Sequence, residues 1–173
     1  MDDDFPAAFD WLLQDEGTDY VDDPDDHGGP TRYGITQRSW SGYIGRAATA
    51  AEIAALTLEE AHAFYRALYW EPLQMHRIRD RRIKVALFDI AVVAGIPRAV
   101  KLLQAALPSL KEDGILGPVT RDRINAIPAP GVLMVYAREV SLFFLRLVEA
   151  DPAQMKFARG WLSRCWRLAS LAI

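Results

Sequence analysis

The sequence predicts a mainly α-helical protein with one small β-hairpin lobe near its N-terminus. From Thr36 to the C-terminus, apolar residues recur at helical spacing between capping and stop signals. The stretch 14–36 is instead acidic and rich in Gly and Pro, and short β-prone segments border it. Of the 173 residues, 51% are hydrophobic and 25% are charged, so the chain can bury a core and is unlike a disordered protein.

The N-terminal segment predicts one helix followed by the hairpin. The apolar residues that share a helical face there are Phe5, Phe9, Leu12 and Leu13. They predict a helix that runs to about Asp15, with Gly17 as its stop. The hairpin strands are expected at Tyr20-Val21 and at Tyr33-Gly34-Ile35, with the turn region 22–30 between them.

The rest of the chain predicts helices joined by short turns. Thr57 and Glu60 form a capping-box pattern that starts a helix ending near Trp70. The segment 81–94 is largely apolar on all sides, which predicts a buried helix stopped by Gly95. Further helices are expected at 98–107 after Pro97, from Pro118 after the tight turn 111–118, at 132–149, and from Asp151-Pro152 to the C-terminus.

Composition and the N-terminal sequence exclude several classes of protein. Cys165 is the one cysteine, so an intramolecular disulfide is excluded. The opening MDDDF lacks the basic and apolar regions of a signal peptide, and no apolar run approaches the ~18 residues that span a bilayer. We therefore expect a chain made in the cytoplasm without a signal peptide, wherever it acts later.

Charge is divided unevenly along the chain. Residues 1–30 hold eleven acidic residues and no Lys or Arg. The other 143 residues hold twelve acidic and all twenty basic residues, a formal net charge of +8. This asymmetry indicates a polyanionic partner, and cell wall, lipid headgroups and nucleic acid all fit. No nucleic-acid partner is expected, because the basic residues form no aromatic-interleaved patch.

The acidic loop and the helix end before it have the features of an active site. Glu16 ends an apolar-periodic segment and precedes a rigid, polar, Gly- and Pro-rich loop. A glycosidase needs this combination, an acid on a fixed element with a wall that holds water opposite it. Burial against apolar side chains favours the protonated form of such an acid, and Trp11, Tyr20 and Tyr33 are candidates for those walls.

A series of residues matches a known family pattern. In the first half they are Glu16-Gly17, Tyr20-Val21, Asp23-Pro24, Asp26, Gly28-Gly29-Pro30-Thr31, Tyr33-Gly34-Ile35-Thr36 and Tyr69-Trp70. They resemble glycoside hydrolase family 108, lysozyme-like muramidases found as phage endolysins and in toxin or secretion loci. The second half resembles the predicted peptidoglycan-binding domain that usually follows, on residues Phe88-Asp89, Gly95, 98–104, Asp113-Gly114, 117–120 and Gly160-Trp161-Leu162.

The resemblance implies an α+β lysozyme-like fold, a helical bundle with a small β-hairpin lobe beside the catalytic helix. It implies a catalytic region at 1–80 and a helical peptidoglycan-binding-like region at 81–173, packed as one compact unit. The implied reaction is hydrolysis of the β-1,4 bond between N-acetylmuramic acid and N-acetylglucosamine, with Glu16 as general acid. Peptidoglycan glycan strands are then the expected partner of a monomeric enzyme.

The second catalytic residue stays open between two aspartates. Phage-type lysozymes show the spacing of Glu16, Asp25 and Thr31, whereas the Asp-x-Gly-Gly pattern of family 108 points to Asp26. Either carboxylate would activate a water opposite Glu16, and the Thr31 hydroxyl would position that water. Turn formation explains both aspartates equally well, because Asp caps backbone amides in Gly- and Pro-rich loops.

Aromatic and amide side chains near the loop are expected to bind the saccharide. They are Tyr20, Tyr33, Gln37, Tyr69 and Trp70, although core packing accounts for the last two equally well. Gly28, Gly29 and Gly34 would allow unusual backbone angles and close approach of the sugar. The loop 23–34 partly mimics a calcium loop, but its twelfth position is Gly34 instead of a bidentate Glu, so no metal or cofactor is expected.

The final helix is basic and amphipathic. Its relevant residues are Lys156, Arg159, Trp161, Leu162, Arg164, Trp166, Arg167 and Leu168. Such a helix either contacts an anionic membrane or packs its tryptophans on the core and leaves a solvated basic face.

Two other functions stay open beside a muramidase. A lytic transglycosylase needs one catalytic Glu and leaves an anhydro product, and a wall-binding protein without activity would lack the acid. The residues Asp25, Asp26 and Thr31 favour water as the nucleophile, and Glu16 is present. We expect action on the periplasmic cell wall after release through a holin-type lesion or a dedicated route. Lysis by a phage or prophage, toxin secretion and wall remodelling all stay open as the setting.

Overall fold

The computed structural model describes residues 4–22 and 29–173. Within these ranges the chain forms two compact units. We name Phe9–Leu68 the hairpin unit, and Tyr69–Ile173 together with the described residues before Phe9 the helical unit. A functional boundary between residues 80 and 81 stays a prediction.

The secondary structure confirms a mainly helical fold with one small antiparallel sheet. The helices are α1 (Phe5–Glu16), α2 (Gln37–Ile44), α3 (Ala50–Ala55), α4 (Leu58–Tyr65), α5 (Arg81–Ala94), α6 (Ile96–Ala105), α7 (Pro118–Ala126), α8 (Ala129–Ala150) and α9 (Ala158–Ser170). The strands are β1 (Thr31–Arg32) and β2 (Ile35–Thr36). Arg66–Trp70 forms a π-helical turn, and Met75–Arg77 and Pro152–Phe157 form 3₁₀ turns. None of the helices in the described ranges is long and apolar enough to cross a membrane.

The hairpin differs from its predicted form. Thr31 pairs with Thr36 and Arg32 with Ile35, which leaves Tyr33 and Gly34 as the two-residue turn. Both turn residues have positive φ, 53° and 72°, as a type I′ turn requires. The prediction of a strand through Tyr33-Gly34 is therefore wrong, because these backbone angles are incompatible with a strand.

Helix ends in the hairpin unit follow from their capping residues. Gly17 adopts φ +75° and donates its amide to the Leu13 carbonyl at 2.9 Å, which ends α1 as predicted. The capping box of Thr57 and Glu60 is confirmed at the start of α4. A second box, in which Thr49 and Glu52 cap α3, was not predicted.

The second capping box makes acid stability depend on Glu52. Hydrogen bonds from Arg46 first, and from Thr49 next, lower the pKa of Glu52 from 4.5 to about 2. The depressed pKa stabilises the fold above the unfolded value of 4.5, and this contribution is lost as the pH falls through about 2. We expect Glu52→Gln to flatten the acid limb of a Tm-against-pH curve in that window.

Glu59→Gln is the control for this prediction, because Glu59 lies in the first turn of α4 outside its capping box. Thermal unfolding of the two variants and the wild type from pH 6 to pH 2 provides the test. An acid limb that is equally steep in Glu52→Gln and in the wild type would contradict the role of Glu52.

The core of the helical unit is built around α5. This helix has the predicted bounds, and all its residues from Ile83 to Ala91 are buried. Phe88 packs edge-on against Phe5 and Trp70 with ring centroids 5.6 Å apart in both pairs. Its neighbour Asp89 is fully buried. The predicted burial is thus confirmed for residues 83–91, whereas Arg81 is exposed and Val92 is only partly buried.

A buried amide organises the predicted tight turn before α7. The Gln104 side-chain amide nitrogen lies 2.9 Å from Asp113 Oδ1 and 3.1 Å from the Thr120 hydroxyl, and the Gln104 amide oxygen accepts from the Gly114 amide at 2.9 Å. The bond from Gln104 is the main reason why the pKa of Asp113 is lowered. Gly114 has φ +79°, and a Cβ atom there would lie 2.8 Å from the Pro97 carbonyl oxygen. This close approach explains the glycine.

The C-terminal helix begins later than predicted, and one of its two tryptophans does not pack on the core. Asp151 caps the 3₁₀ turn by accepting from the Ala153 amide at 3.0 Å, and α9 begins only at Ala158. Trp161 stacks on Phe144 with centroids 4.7 Å apart, whereas Trp166 is 77% exposed. The packing of both tryptophans on a core is therefore wrong for Trp166.

Candidate active site

Glu16 occupies the last position of α1, at the base of the hairpin unit's loop. Its side chain is half-buried, and Gly17 fixes the direction in which the chain leaves the helix. A carboxyl group at the end of a helix is held by the helix backbone, which limits its movement. The predicted acid is thus on a rigid element.

The turn of the hairpin packs directly on this glutamate. A Cβ atom at Gly34 would lie 2.8 Å from Glu16 Oε2 and 2.9 Å from Glu16 Cβ. The same Cβ would lie 2.8 Å from the Tyr65 hydroxyl oxygen. Glycine is therefore required twice at this position, once by φ +72° and once by the space that the Glu16 and Tyr65 side chains occupy. The unusual backbone angle expected of this glycine is confirmed, and the close approach of a sugar stays a prediction.

Tyr65 holds the hairpin turn by a hydrogen bond. The sequence analysis did not identify it as a site residue. It lies on α4 with 1% of its surface exposed, and its hydroxyl donates to the Tyr33 carbonyl at 2.9 Å. The sequence analysis counted Tyr65 only as part of an apolar face. A hydroxyl within such a face was the available signal, because a buried Tyr hydroxyl usually has a hydrogen-bond partner.

Removing the Tyr65 hydroxyl tests whether the turn must be fixed for activity. Tyr65→Phe leaves the Tyr33 carbonyl without this donor, so we expect a loss of about 1 kcal/mol in unfolding free energy. We also expect a drop in sacculus lysis of roughly tenfold, since small displacements in a site have large kinetic effects. Urea unfolding and a turbidity assay measure the two quantities.

Tyr43→Phe is the matched control for Tyr65→Phe, because Tyr43 lies in the same unit, is 36% exposed and packs on the rings of Trp40 and Phe64. It is expected to change neither stability nor lysis. Unaltered lysis in Tyr65→Phe would show that the hydroxyl acts on stability alone.

Thr31 anchors the far end of the acidic loop. Its backbone forms a bridge with Val21 through two hydrogen bonds of 2.8 Å, which ties the two ends of the loop together. Its hydroxyl donates to the Gly29 carbonyl at 3.1 Å. The hydroxyl oxygen therefore retains lone pairs that can accept a hydrogen bond from water. Asp25 and Asp26, the two candidates for the second carboxylate, lie outside the described residues.

Three candidate saccharide-binding residues belong to the hairpin unit. Tyr20 is 39% exposed, and burial together with the neighbouring Asp22 carboxylate raises the pKa of its hydroxyl. The Tyr33 ring lies 5.2 Å from the Arg32 guanidinium. The Gln37 side-chain amide donates to the Ala48 carbonyl at 2.5 Å, an internal contact that orients it. Their contact with sugar stays a prediction.

The other two candidates, Tyr69 and Trp70, belong to the helical unit. Tyr69 is half-buried in the π-helical turn. Trp70 is 5% exposed, and its ring lies 5.2 Å from that of Phe5, so it takes part in the core. The sequence left sugar binding and core packing open for Trp70, and its observed position is one of core packing.

Known proteins show clear similarity to both halves of the chain. Residues 9–95 match the family described as Glycosyl hydrolase 108, and residues 98–166 match the Predicted Peptidoglycan domain. The solved structure of Brucella abortus SagA is similar over 97% of this chain and 92% of that chain, with 31% identity and a TM-score of 0.81. No curated protein matches at a significant level.

These matches confirm the resemblance, the enzyme class and peptidoglycan as the substrate. The first match covers half of the chain, and the structural similarity extends over nearly all of it. The chain is a lysozyme-like hydrolase of peptidoglycan and belongs to the glycosyl hydrolase 108 family.

Proposed function

We propose that the chain is an N-acetylmuramidase that hydrolyses the β-1,4 bond between N-acetylmuramic acid and N-acetylglucosamine, with Glu16 as general acid. The observation that carries this proposal is the contact between the Glu16 carboxylate and the turn at Gly34. It fixes one carboxyl group between a helix end and a tight turn. Proton donation to a glycosidic oxygen depends on such fixed geometry.

The reaction begins with proton transfer from Glu16 to the oxygen of the leaving sugar. The bond from the anomeric carbon to this oxygen breaks as positive charge develops on the ring. Water then adds to the anomeric carbon and gives its proton to a base. Asp25 or Asp26 is the proposed base, and the Thr31 hydroxyl, which donates to Gly29, is the proposed acceptor that orients the water.

The stereochemical outcome depends on the distance between Glu16 and the second carboxylate. A separation of about 6.5–9.5 Å leaves room for a water and leads to inversion, whereas about 5–5.5 Å leads to retention through a covalent intermediate.

The variants Asp25→Asn and Asp26→Asn distinguish the two candidates for the second carboxylate, because only the change at the catalytic residue is expected to lower turnover strongly.

We further propose that the enzyme acts as a monomer on glycan strands of the cell wall. Contact of the segment 152–173 with anionic lipid is part of this proposal, because this segment carries no acidic residue and its Lys156 and Arg159 are exposed. Tyr20 and Tyr33 are the proposed stacking surfaces for sugar rings in the hairpin unit. Lysis of bacteria from within, as by a phage or prophage enzyme, is the proposed setting.

Product analysis tests the bond and the reaction type together. Purified sacculi are digested, the products are reduced with borohydride, and the new ends are identified by mass spectrometry. Muramitol ends are expected. Glucosaminitol ends would assign the other glycosidic bond, and anhydromuramic ends would make the enzyme a lytic transglycosylase. Sacculus binding without any product would leave a wall-binding protein.

A further inference from the structure

An apolar groove runs along the helical unit between α8 and α9. One part has a volume of about 230 Å³. Its lining includes Val148, Ala158 and the stacked rings of Phe144 and Trp161. A second part, of about 280 Å³, continues toward Met134 and Ala169. Both parts share Ser141, Leu162 and Cys165, so they form one continuous surface, which we call the α8–α9 groove.

The rim of this groove exposes large apolar side chains. The exposed fractions are 77% for Trp166, 61% for Met155, 58% for Leu162, 55% for Met134 and 55% for Leu145. All five line the α8–α9 groove. Exposed apolar patches of this kind on a soluble domain usually mark an interaction surface.

The exposed face of α9 is not the face that holds the helix in place. The inner face is anchored by Leu168, which is 1% exposed, and by Arg164, whose Nε lies 3.7 Å from the fully buried Asp89 carboxylate. Leu162 and Trp166 are four residues apart and therefore project together on the outer face. Leu162 and Trp166 are therefore exposed although the opposite face of α9 is packed and holds the helix in place.

Basic residues flank the groove. Lys156 lies 5.0 Å above the ring of Phe157, and Arg159 is exposed one helical turn before Leu162. Residues 152–173 carry no acidic residue, and Asp151, just before this segment, interacts electrostatically with Lys156. A tryptophan and aliphatic side chains beside Lys and Arg match the boundary between acyl chains and anionic headgroups.

Charge and chemistry argue against two possible occupants of the groove, a second copy of the chain and a glycan strand. A two-fold interface pairs identical patches, so a second copy bound by the same face would bring the basic segments 152–173 of both chains together. Their like charges would repel each other. Glycan strands need many hydrogen-bonding groups. Besides the indole N–H groups of its tryptophans, the described residues that line the groove offer only Arg138, Ser141 and Cys165 as polar side chains.

We propose that the α8–α9 groove is a docking surface for an anionic lipid bilayer, into which Trp166, Leu162 and Met155 insert. This surface deepens the lipid contact proposed for α9, on which it rests, by adding α8 and apolar insertion to charge attraction. It places the hydrolase at the membrane while the hairpin unit carries the catalytic acid. Insertion does not depend on hydrolysis.

Vesicle co-sedimentation of the full chain tests this surface. The vesicles contain equal parts of phosphatidylglycerol and phosphatidylcholine, and vesicles of phosphatidylcholine alone are the neutral comparison. Binding to the anionic vesicles is expected, with a blue shift of tryptophan fluorescence. Trp166→Ala and Leu162→Ala are each expected to lower the partition coefficient by roughly tenfold, because each removes apolar surface that would leave water.

Ile115→Ala is the matched control, because Ile115 is 66% exposed in the same unit and does not line the groove. Glu16→Gln is expected to bind vesicles like the wild type, so failure of the catalytic assignment leaves this test intact. Lysis of lipid-free sacculi by Trp166→Ala is expected to be normal, which also shows that the variant folds.

Four outcomes would overturn the docking surface. They are the absence of vesicle binding, equal binding to neutral vesicles, and equal loss of binding in Ile115→Ala and Trp166→Ala. The fourth is a partner other than lipid. Dimerisation in analytical ultracentrifugation that Trp166→Ala abolishes would assign the groove to a second copy, and loss of sacculus binding in the same variant would assign it to glycan.

Discussion

Glu16→Gln is expected to lower the rate of sacculus lysis by about 10²–10⁴-fold, the range that general acid catalysis contributes. Glutamine has nearly the shape of glutamate but carries no proton that it can transfer to a glycosidic oxygen. The half-buried position at the end of α1 is retained, so the fold is expected to persist. Lysis is followed by turbidity, and the fold by circular dichroism and thermal unfolding.

Asp10→Asn is the matched control, because it makes the same carboxylate-to-amide change on the exposed side of the same helix. It is expected to lyse sacculi at the wild-type rate. If Glu16→Gln retained lysis within a few-fold of wild type, Glu16 would not be the acid, since general acid catalysis contributes at least about 10²-fold. Lost lysis together with lost helicity would indicate a structural role instead.

Much of the fold could be predicted because local signals were strong. The bounds of α5 were predicted to the residue, since Gly95 marks its end and its apolar residues surround the helix. The capping box at Thr57 was equally clear. The hairpin register was not predictable, because Tyr33 has no sequence feature that demands φ 53°, and β-propensity favours a strand for Tyr.

The candidate site was predicted in part. The contacts that were missed join residues that are far apart in the sequence. Glu16 and Thr31 follow from motif spacing. The contact of Gly34 with Glu16 joins residues 18 positions apart, and Tyr65 reaches the turn from a different helix. The contact of Gly34 with Glu16 leaves no local pattern in the sequence, and a Tyr in the apolar face of α4 indicates that its hydroxyl has a partner but not which one. The exposure of Trp166 was missed for the same reason, since amphipathicity does not show which apolar residues of a helix are covered.

Gly34→Ala is expected to lower both stability and lysis, the second by about 10²-fold. An alanine at φ +72° costs about 1–2 kcal/mol in unfolding free energy, and its Cβ would lie 2.8 Å from Glu16 Oε2. That distance is too short, so the Glu16 side chain or the hairpin turn must move. A displacement of about 1 Å in a catalytic group is sufficient for a 10²-fold loss.

Gly45→Ala separates the backbone effect from the contact with Glu16. Gly45 has the same φ of +72°, lies in the same unit at the end of α2, and has no atom within 4 Å of its Cβ position. It is expected to show the backbone cost alone, with full lysis by the folded protein. Chemical unfolding gives the stability of each variant, and lysis is compared at a temperature where both are folded.

The two glycine variants therefore test the geometry on which the catalytic assignment of Glu16 rests. A larger loss of stability and lysis in Gly34→Ala than in Gly45→Ala means that the turn holds the carboxylate in its active position. If Gly34→Ala loses only as much stability as Gly45→Ala and lyses sacculi normally, the turn tolerates displacement. The position of Glu16 would then be set by α1 alone, and the hairpin would have to act on the substrate instead of the acid.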